Sequence, residues 1–170
     1  VAIIVVVVVI SVFLIFFNKG GGIGSVDNLR EFLEDCAKSE GERSLVQLGL
    51  RGGDIQQKNK ASFGDYFISY LFYENENKLD SLEDIRINFE DFFSENLDSC
   101  IDNFSEFADR GYDVRVQKIS REVNFDEFVE FNVDYSVTSS KGENLDHFED
   151  IFIYRIPVNF TKYYSVTENI

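Results

Sequence analysis

The chain has 170 residues and a formal net charge of -15, from 31 acidic against 16 basic side chains. A surface this acidic repels phosphate backbones and argues against nucleic acid as a partner. With 18 Phe and 8 Tyr the chain is too rich in aromatic side chains to stay disordered, so a folded unit with a real core is expected.

Residues 1–17, VAIIVVVVVISVFLIFF, carry no charge, and Lys19 is the first charged side chain. A run that is apolar on every face belongs in lipid or in a protein interior. There a helix is the single-segment conformation that satisfies its own backbone. At about 1.5 Å per residue it makes a rod of roughly 25 Å, short of the roughly 20 residues of a comfortable bilayer span. The chain has no methionine, and a secretory signal would be cut after its apolar region. Retention of the apolar run without a basic flank is the pattern expected from cleavage on its N-terminal side. Val1 to Phe17 resembles the mature N-terminal helix of type IV pilin-like proteins, in particular archaeal pilins and archaellins. The resemblance implies a helical homopolymer whose core is built by Val1, Ile4, Val5, Val8, Val9, Val12, Phe13, Leu14, Phe16 and Phe17. It also implies residence in the membrane before assembly, with a prepilin-type peptidase and an assembly machinery as partners. Bacterial pilins carry glutamate at the fifth mature position; Val5 departs from that and points to the archaeal relatives. The alternative reading is a single-pass anchor that holds an extracellular binding ectodomain.

NKGGGIGSVDN, residues 18–28, follows. Gly20, Gly21, Gly22 and Gly24 break a helix and are read as a hinge between the rod and an acidic head, residues 29–170. In the head, Leu29, Phe32, Leu33, Cys36 and Ala37 fall on one face of a first helix, with Asp27 or Asn28 as its cap. Ser39 and Glu42 have capping-box spacing, which predicts a second short helix through Leu45, Leu48 and Leu50, stopped at Gly52-Gly53. DIQQKN is read as strand-like. GDYFISYLFYEN, apolar on both faces, is read as a central strand.

A second capping box, Ser81 with Asp84, opens a long helix. Its stripe runs through Leu82, Ile85, Phe89, Phe92, Phe93, Cys100, Ile101, Phe104, Phe107 and Ala108 almost to Gly111, with a bend expected near Ser94. The last third reads as sheet. YDVRVQKISREVNF is a strand; Val129, Phe131, Val133, Tyr135 and Val137 alternate with polar residues as in a half-buried antiparallel strand. SSKGEN is the turn, HFEDIFIYRIPV the returning strand, with Pro157 near its end, and NFTKYYSVTENI a closing helix. The fold class is α+β, with helices packed on an antiparallel meander.

Cys36 and Cys100 both lie on apolar stripes. An even count outside the cytoplasm favours a disulfide between them, worth roughly 4 kcal/mol in the chain-entropy model; two buried free thiols are the alternative. Asn103-Phe104-Ser105 and Asn159-Phe160-Thr161 match the N-glycosylation acceptor. Asn159 ranks ahead, because Asn103 is expected in a helix with buried neighbours on both sides. His147 is the single histidine. It sits among carboxylates in DHFED and reads as a solvated surface residue, and the cluster Glu143, Asp146, Glu149 and Asp150 reads as a solvated charge run. No nucleophile elbow, phosphate loop, zinc-binding or calcium-loop motif occurs, so neither an enzyme nor a cofactor is expected.

The segments FLEDCAKSEGERSLVQLGLRGGDI and LDSCIDNFSEFADRGYDV, followed by a meander, resemble a group of surface proteins from small-genome archaea. Archaeal pilin and archaellin heads are mostly β-sandwiches, and this helix-rich head departs from them. Together these readings imply a structural subunit of an extracellular filament, with the acidic head facing solvent.

Overall fold

The computed structural model describes residues 26–168 apart from 59, 65, 70, 71 and 75. The rod residues 1–17 and the hinge glycines Gly20, Gly21, Gly22 and Gly24 lie outside the described residues. The described part is α+β, with helices laid on one face of a three-stranded antiparallel sheet.

Helix α1 (Val26–Leu50) is one unbroken helix, where two were expected. Ser39 and Glu42 are interior positions, and Asp27 and Asn28 lie within the helix rather than capping it. Packing overrides the local signal: Leu29, Leu33, Cys36, Ala37, Ser44 and Leu48 keep a continuous buried stripe across Ser39. Gly41 also lies on that stripe, where a Cβ would come within 3.3 Å of the Phe131 ring. The helix ends at the expected glycines. The Gly53 N–H reaches the Leu48 carbonyl at 2.9 Å and the Gly52 N–H the Gly49 carbonyl at 3.1 Å, with Gly52 at φ 70. This is the Schellman pattern, which needs a left-handed residue.

The stretch from Asp54 is a turn and not a strand. The Asp54 carboxylate accepts from the N–H groups of Gln57 and Lys58, both at 2.8 Å, and from the Ser69 hydroxyl at 2.9 Å. A side chain that bonds the backbone three and four residues on competes with extended structure. The expected central strand is likewise two pieces in separate hairpins, outside the main sheet. Strands β1 (Lys60–Phe63) and β2 (Tyr66–Ser69) pair with each other, as do β3 (Phe72–Tyr73) and β4 (Glu76–Asn77). Phe67 is half exposed there.

Helix α2 (Leu82–Ile101) starts as predicted: the Ser81 hydroxyl accepts from the Asp84 N–H at 3.1 Å. Ile85, Phe89, Phe93, Leu97 and Ile101 are buried at a strict spacing of four, each worth roughly 1.5–3 kcal/mol of transfer free energy. The helix runs continuously through Ser94, and the break comes later. Asp102, Asn103 and Phe104 take φ of 42, 50 and 59 before the short helix α3 (Ser105–Ala108). Left-handed residues other than glycine cost on the order of 1 kcal/mol each. What the turn achieves is packing: Phe104 and Phe107 are buried, with ring centroids 6.2 and 5.3 Å from Phe32 of α1.

Strands β5 (Asp113–Phe125), β6 (Val129–Lys141) and β7 (Asn144–Ile156) form the meander in that order, with β6 central. As the alternation predicted, Val129, Phe131, Val133, Tyr135 and Val137 are buried on one face. Phe131 sits at the middle of the core, 4.8 Å from Phe93 and 5.9 Å from Phe89 between ring centroids. Helix α1 packs on β6 and β7, and α2 packs on β5. Pro157 follows the last residue of β7, and α4 (Phe160–Glu168) closes the chain as expected, Phe160 stacking on Phe125 at 4.5 Å.

Candidate assembly surfaces

The cysteine helices meet. Cys36 of α1 and Cys100 of α2 are at disulfide-bond distance, their sulfurs 2.08 Å apart. The link ties α1 to α2, and on α1 the partly buried Phe32 packs against the buried Phe104 and Phe107.

The two glycosylation acceptors fall in different settings, and that of Asn103 differs from the one expected. Asn159 is occupied as the cap of α4: its Oδ1 accepts from the Lys162 N–H at 2.8 Å and from the Thr161 hydroxyl at 3.0 Å. Asn103 is exposed in the left-handed turn after α2, not within a regular helix. Its neighbour Ser105 donates its hydroxyl to Asp102 at 2.7 Å.

The acidic cluster separates along β7. Glu143 and Asp146 are exposed near the β6–β7 turn, Glu149 is exposed on the outer face of the sheet, and Asp150 turns to the helices, where Arg30 meets it at 3.1 Å. Exposed His147 pairs with the Thr138 hydroxyl at 3.2 Å. Among the described residues no group of three or more His, Cys, Asp or Glu side chains is placed to hold a metal ion. Among them, too, no helix is long and apolar enough to cross a membrane.

Two surfaces not anticipated from the sequence stand out. One is an apolar groove of about 620 Å³ between α1 and the C-terminal segment. Leu45, Val46 and Gly49 form one wall, and Ile156, Val158, Phe160 and Tyr163 the other. On its rim the Tyr154 hydroxyl donates to Glu42 at 2.5 Å; that bond, with some burial, raises the phenol above its ordinary range. Val46 lies off the buried stripe of α1, and an off-stripe aliphatic residue was the available signal for this groove.

The second surface is the outer face of the sheet, which no described element covers. It is mostly polar: Lys118 pairs with Asp134, and Arg155 with Glu130 at 2.5 Å. The bonds from Arg155, and next from Asn132, hold the Glu130 carboxyl below its ordinary range. Ile151 and Ile153 of β7 lie in register with Asp134 and Asn132 on this face and are 59% and 50% exposed. In sequence, the apolar residues of β7 fall on both parities, a pattern that marks two-sided burial or a sheet edge seeking cover.

Comparison with protein-family models, with curated proteins and with solved structures returns no match to this chain.

Proposed function

We propose that the chain is a structural subunit of an extracellular type IV pilus-like filament, in which residues 1–17 of many copies form an apolar core and the acidic heads face solvent. The observation that carries the reading is the Cys36–Cys100 disulfide within a head that follows an uncharged apolar segment and a glycine joint. Disulfides persist in oxidising compartments, which supports a head outside the cytoplasm. The apolar segment requires continuous cover by lipid or by copies of itself, since its aliphatic side chains each lose roughly 1.5–3 kcal/mol on exposure. The bond also fixes α1, the helix nearest the joint, to the core, so the head can transmit load from the rod as one body. Apolar burial between rods drives polymerisation, and head contacts set the helical parameters.

The test is negative-stain microscopy of sheared cell-surface material, with mass spectrometry of the filaments. Filaments that contain this chain are expected, and Val8→Asp or Leu14→Asp should abolish them while the head keeps its circular dichroism spectrum. Recovery of the chain solely as monomers in detergent-extracted membranes refutes the filament and leaves an anchored ectodomain.

A further inference from the structure

The three-stranded sheet has two edges, and the fold treats them differently. At the β5 edge the Val123 N–H donates to Glu90 of α2 at 2.9 Å, and the Val123 carbonyl accepts from Arg86 at 3.3 Å. Arg121 pairs with Asp98 of α2, and the ladder is broken by a bulge between Val116 and Lys118. Capped backbone groups and bulges are the devices that block strand addition.

The β7 edge carries one capped group, the Ile151 N–H, and no bulge. Its register with β6 runs unbroken from Asn144 to Ile156, and the strand contains no lysine and no proline. The two-residue turn makes Lys141 and Asn144 the first facing pair, a hydrogen-bonded one in hairpins of this kind. The even-numbered residues of β7 therefore bond to β6, and Leu145, His147, Glu149, Ile151, Ile153 and Arg155 turn their backbone groups outward. The Ile151 N–H fits this: it bonds the Asp150 side chain at 2.9 Å. The side chains of the same odd-numbered residues share the outer face of the sheet.

We infer that β7 pairs with β7 of a second copy, antiparallel about a two-fold axis normal to the sheet, with Phe152 facing Phe152. The occupant is a second copy because the strand is complementary to itself in this register. Ile151 then faces Ile153 of the second copy, and Ile153 faces its Ile151, so the exposed aliphatic pair is covered from both sides. Glu149 faces Arg155 of the second copy, and Arg155 its Glu149. Arg155 already bonds Glu130 in its own copy, so each guanidinium bridges two carboxylates. Asp150, held by Arg30 on the helix side, falls opposite Tyr154 and meets no like charge. A slip that sets Ile151 against Ile151 places Glu149 opposite Ile153 and Arg155 opposite His147, and loses both ion pairs. The same face thus specifies partner and register, as a two-fold interface requires. The result is a continuous six-stranded sheet. Its formation does not depend on residues 1–17 and is independent of the filament reading.

The experiment uses the full chain in detergent. Glu149→Arg alone sets the introduced guanidinium against the native Arg155 of the second copy. Arg155→Glu alone sets the introduced carboxylate against the native Glu149. Each variant should therefore self-associate about tenfold or more weakly than the parent in sedimentation analysis. Mixing the two restores both pairs across the axis, and heterodimers should return at parental strength. In the parental background, Ile151→Cys mixed with Ile153→Cys should cross-link on oxidation, since facing strand residues lie within disulfide reach. Ile151→Cys alone should not. Equal self-cross-linking of Ile151→Cys, failure of the mixed charge variants to associate, or cross-linking of Ile151→Cys to a Val116→Cys chain in place of Ile153→Cys each overturns the pairing. Both charge positions are exposed, and unchanged circular dichroism identifies folded variants.

Discussion

Removal of the Cys36–Cys100 link tests the part of the structure on which the functional reading rests. The bonded residues are 64 apart in sequence. In the chain-entropy relation, a loop of that length confines the unfolded chain by about 14 cal/mol/K, or about 4 kcal/mol at room temperature. The native contacts around the bond survive its loss: Phe32 still packs on Phe104 and Phe107, and Leu33 and Leu97 remain in the same core. The cost therefore falls on the unfolded ensemble, with a smaller contribution from the space vacated at Cys36. Domains of this size carry about 5–15 kcal/mol in total, so Cys36→Ala with Cys100→Ala should remove a large share of the stability without changing the fold. The expected shift in melting temperature is about 8–16 °C. Urea unfolding of the full chain in detergent, followed by near-ultraviolet circular dichroism, gives the free energy. The slope against urea should rise, because the uncrosslinked unfolded chain exposes more surface. A loss below about 1 kcal/mol with an unchanged slope refutes the view that the bond acts as a constraint on α1 and α2.

Two glycines of α1 should respond to alanine with opposite signs. Gly49 lies in the helix with nothing within 4 Å of the place a Cβ would take, so Gly49→Ala should stabilise the head by about 0.5–1 kcal/mol. Gly41→Ala meets Phe131 at 3.3 Å, and that ring is fully buried against Phe89 and Phe93. Overpacking of about 1–3 kcal/mol outweighs the propensity gain, so the melting temperature should fall; a rise at both positions refutes the close approach of α1 to β6. Burial first, and then the nearby Glu34 and Asp150, push the Tyr135 phenol from 10.0 up to about 12. A raised phenol favours the neutral form in the folded state, so its contribution is complete below pH 10 and is lost as pH rises from 10 to about 12. Tyr135→Phe should flatten the fall of melting temperature across that window, and an unchanged slope sinks the assignment.

What was legible in the sequence, and what was not, follows from where each signal originates. The strands β5, β6 and β7, the start of α2 at Ser81 and the stop of α1 at Gly52-Gly53 were all readable, because alternation, a capping hydroxyl and left-handed glycines act locally. The failures came where a distant partner decides. Ser39 and Glu42 have the spacing of a cap, yet the sheet offers Phe131 a seat at Gly41, and burial of the whole stripe outweighs a cap worth about 1 kcal/mol. The residues from Asp54 looked extended until one carboxylate took two backbone N–H groups and the Ser69 hydroxyl. The break after α2 fell at Asp102–Phe104 and not at Ser94, since Phe104 and Phe107 had to turn back onto Phe32 of another helix.

The same division applies to the surfaces. The cysteine pair was readable because both residues fell on apolar stripes, whereas the accessibility of Asn103 depends on a left-handed turn that no local pattern announces. Strand β7 is the instructive intermediate case. Its mixed parity was visible in the sequence, but the meaning of that pattern changes with the strand's place in the sheet. In a central strand, aliphatic residues on both faces signal cover from both sides. At an edge with one face on helices and the other open, Ile151 and Ile153 find no partner within the described residues. The distinction matters because β5, the opposite edge, is capped by Glu90 and Arg86. A fold that closes one edge with side chains from its own helix and leaves the other regular has a direction in which its sheet can grow, and β7 is that direction.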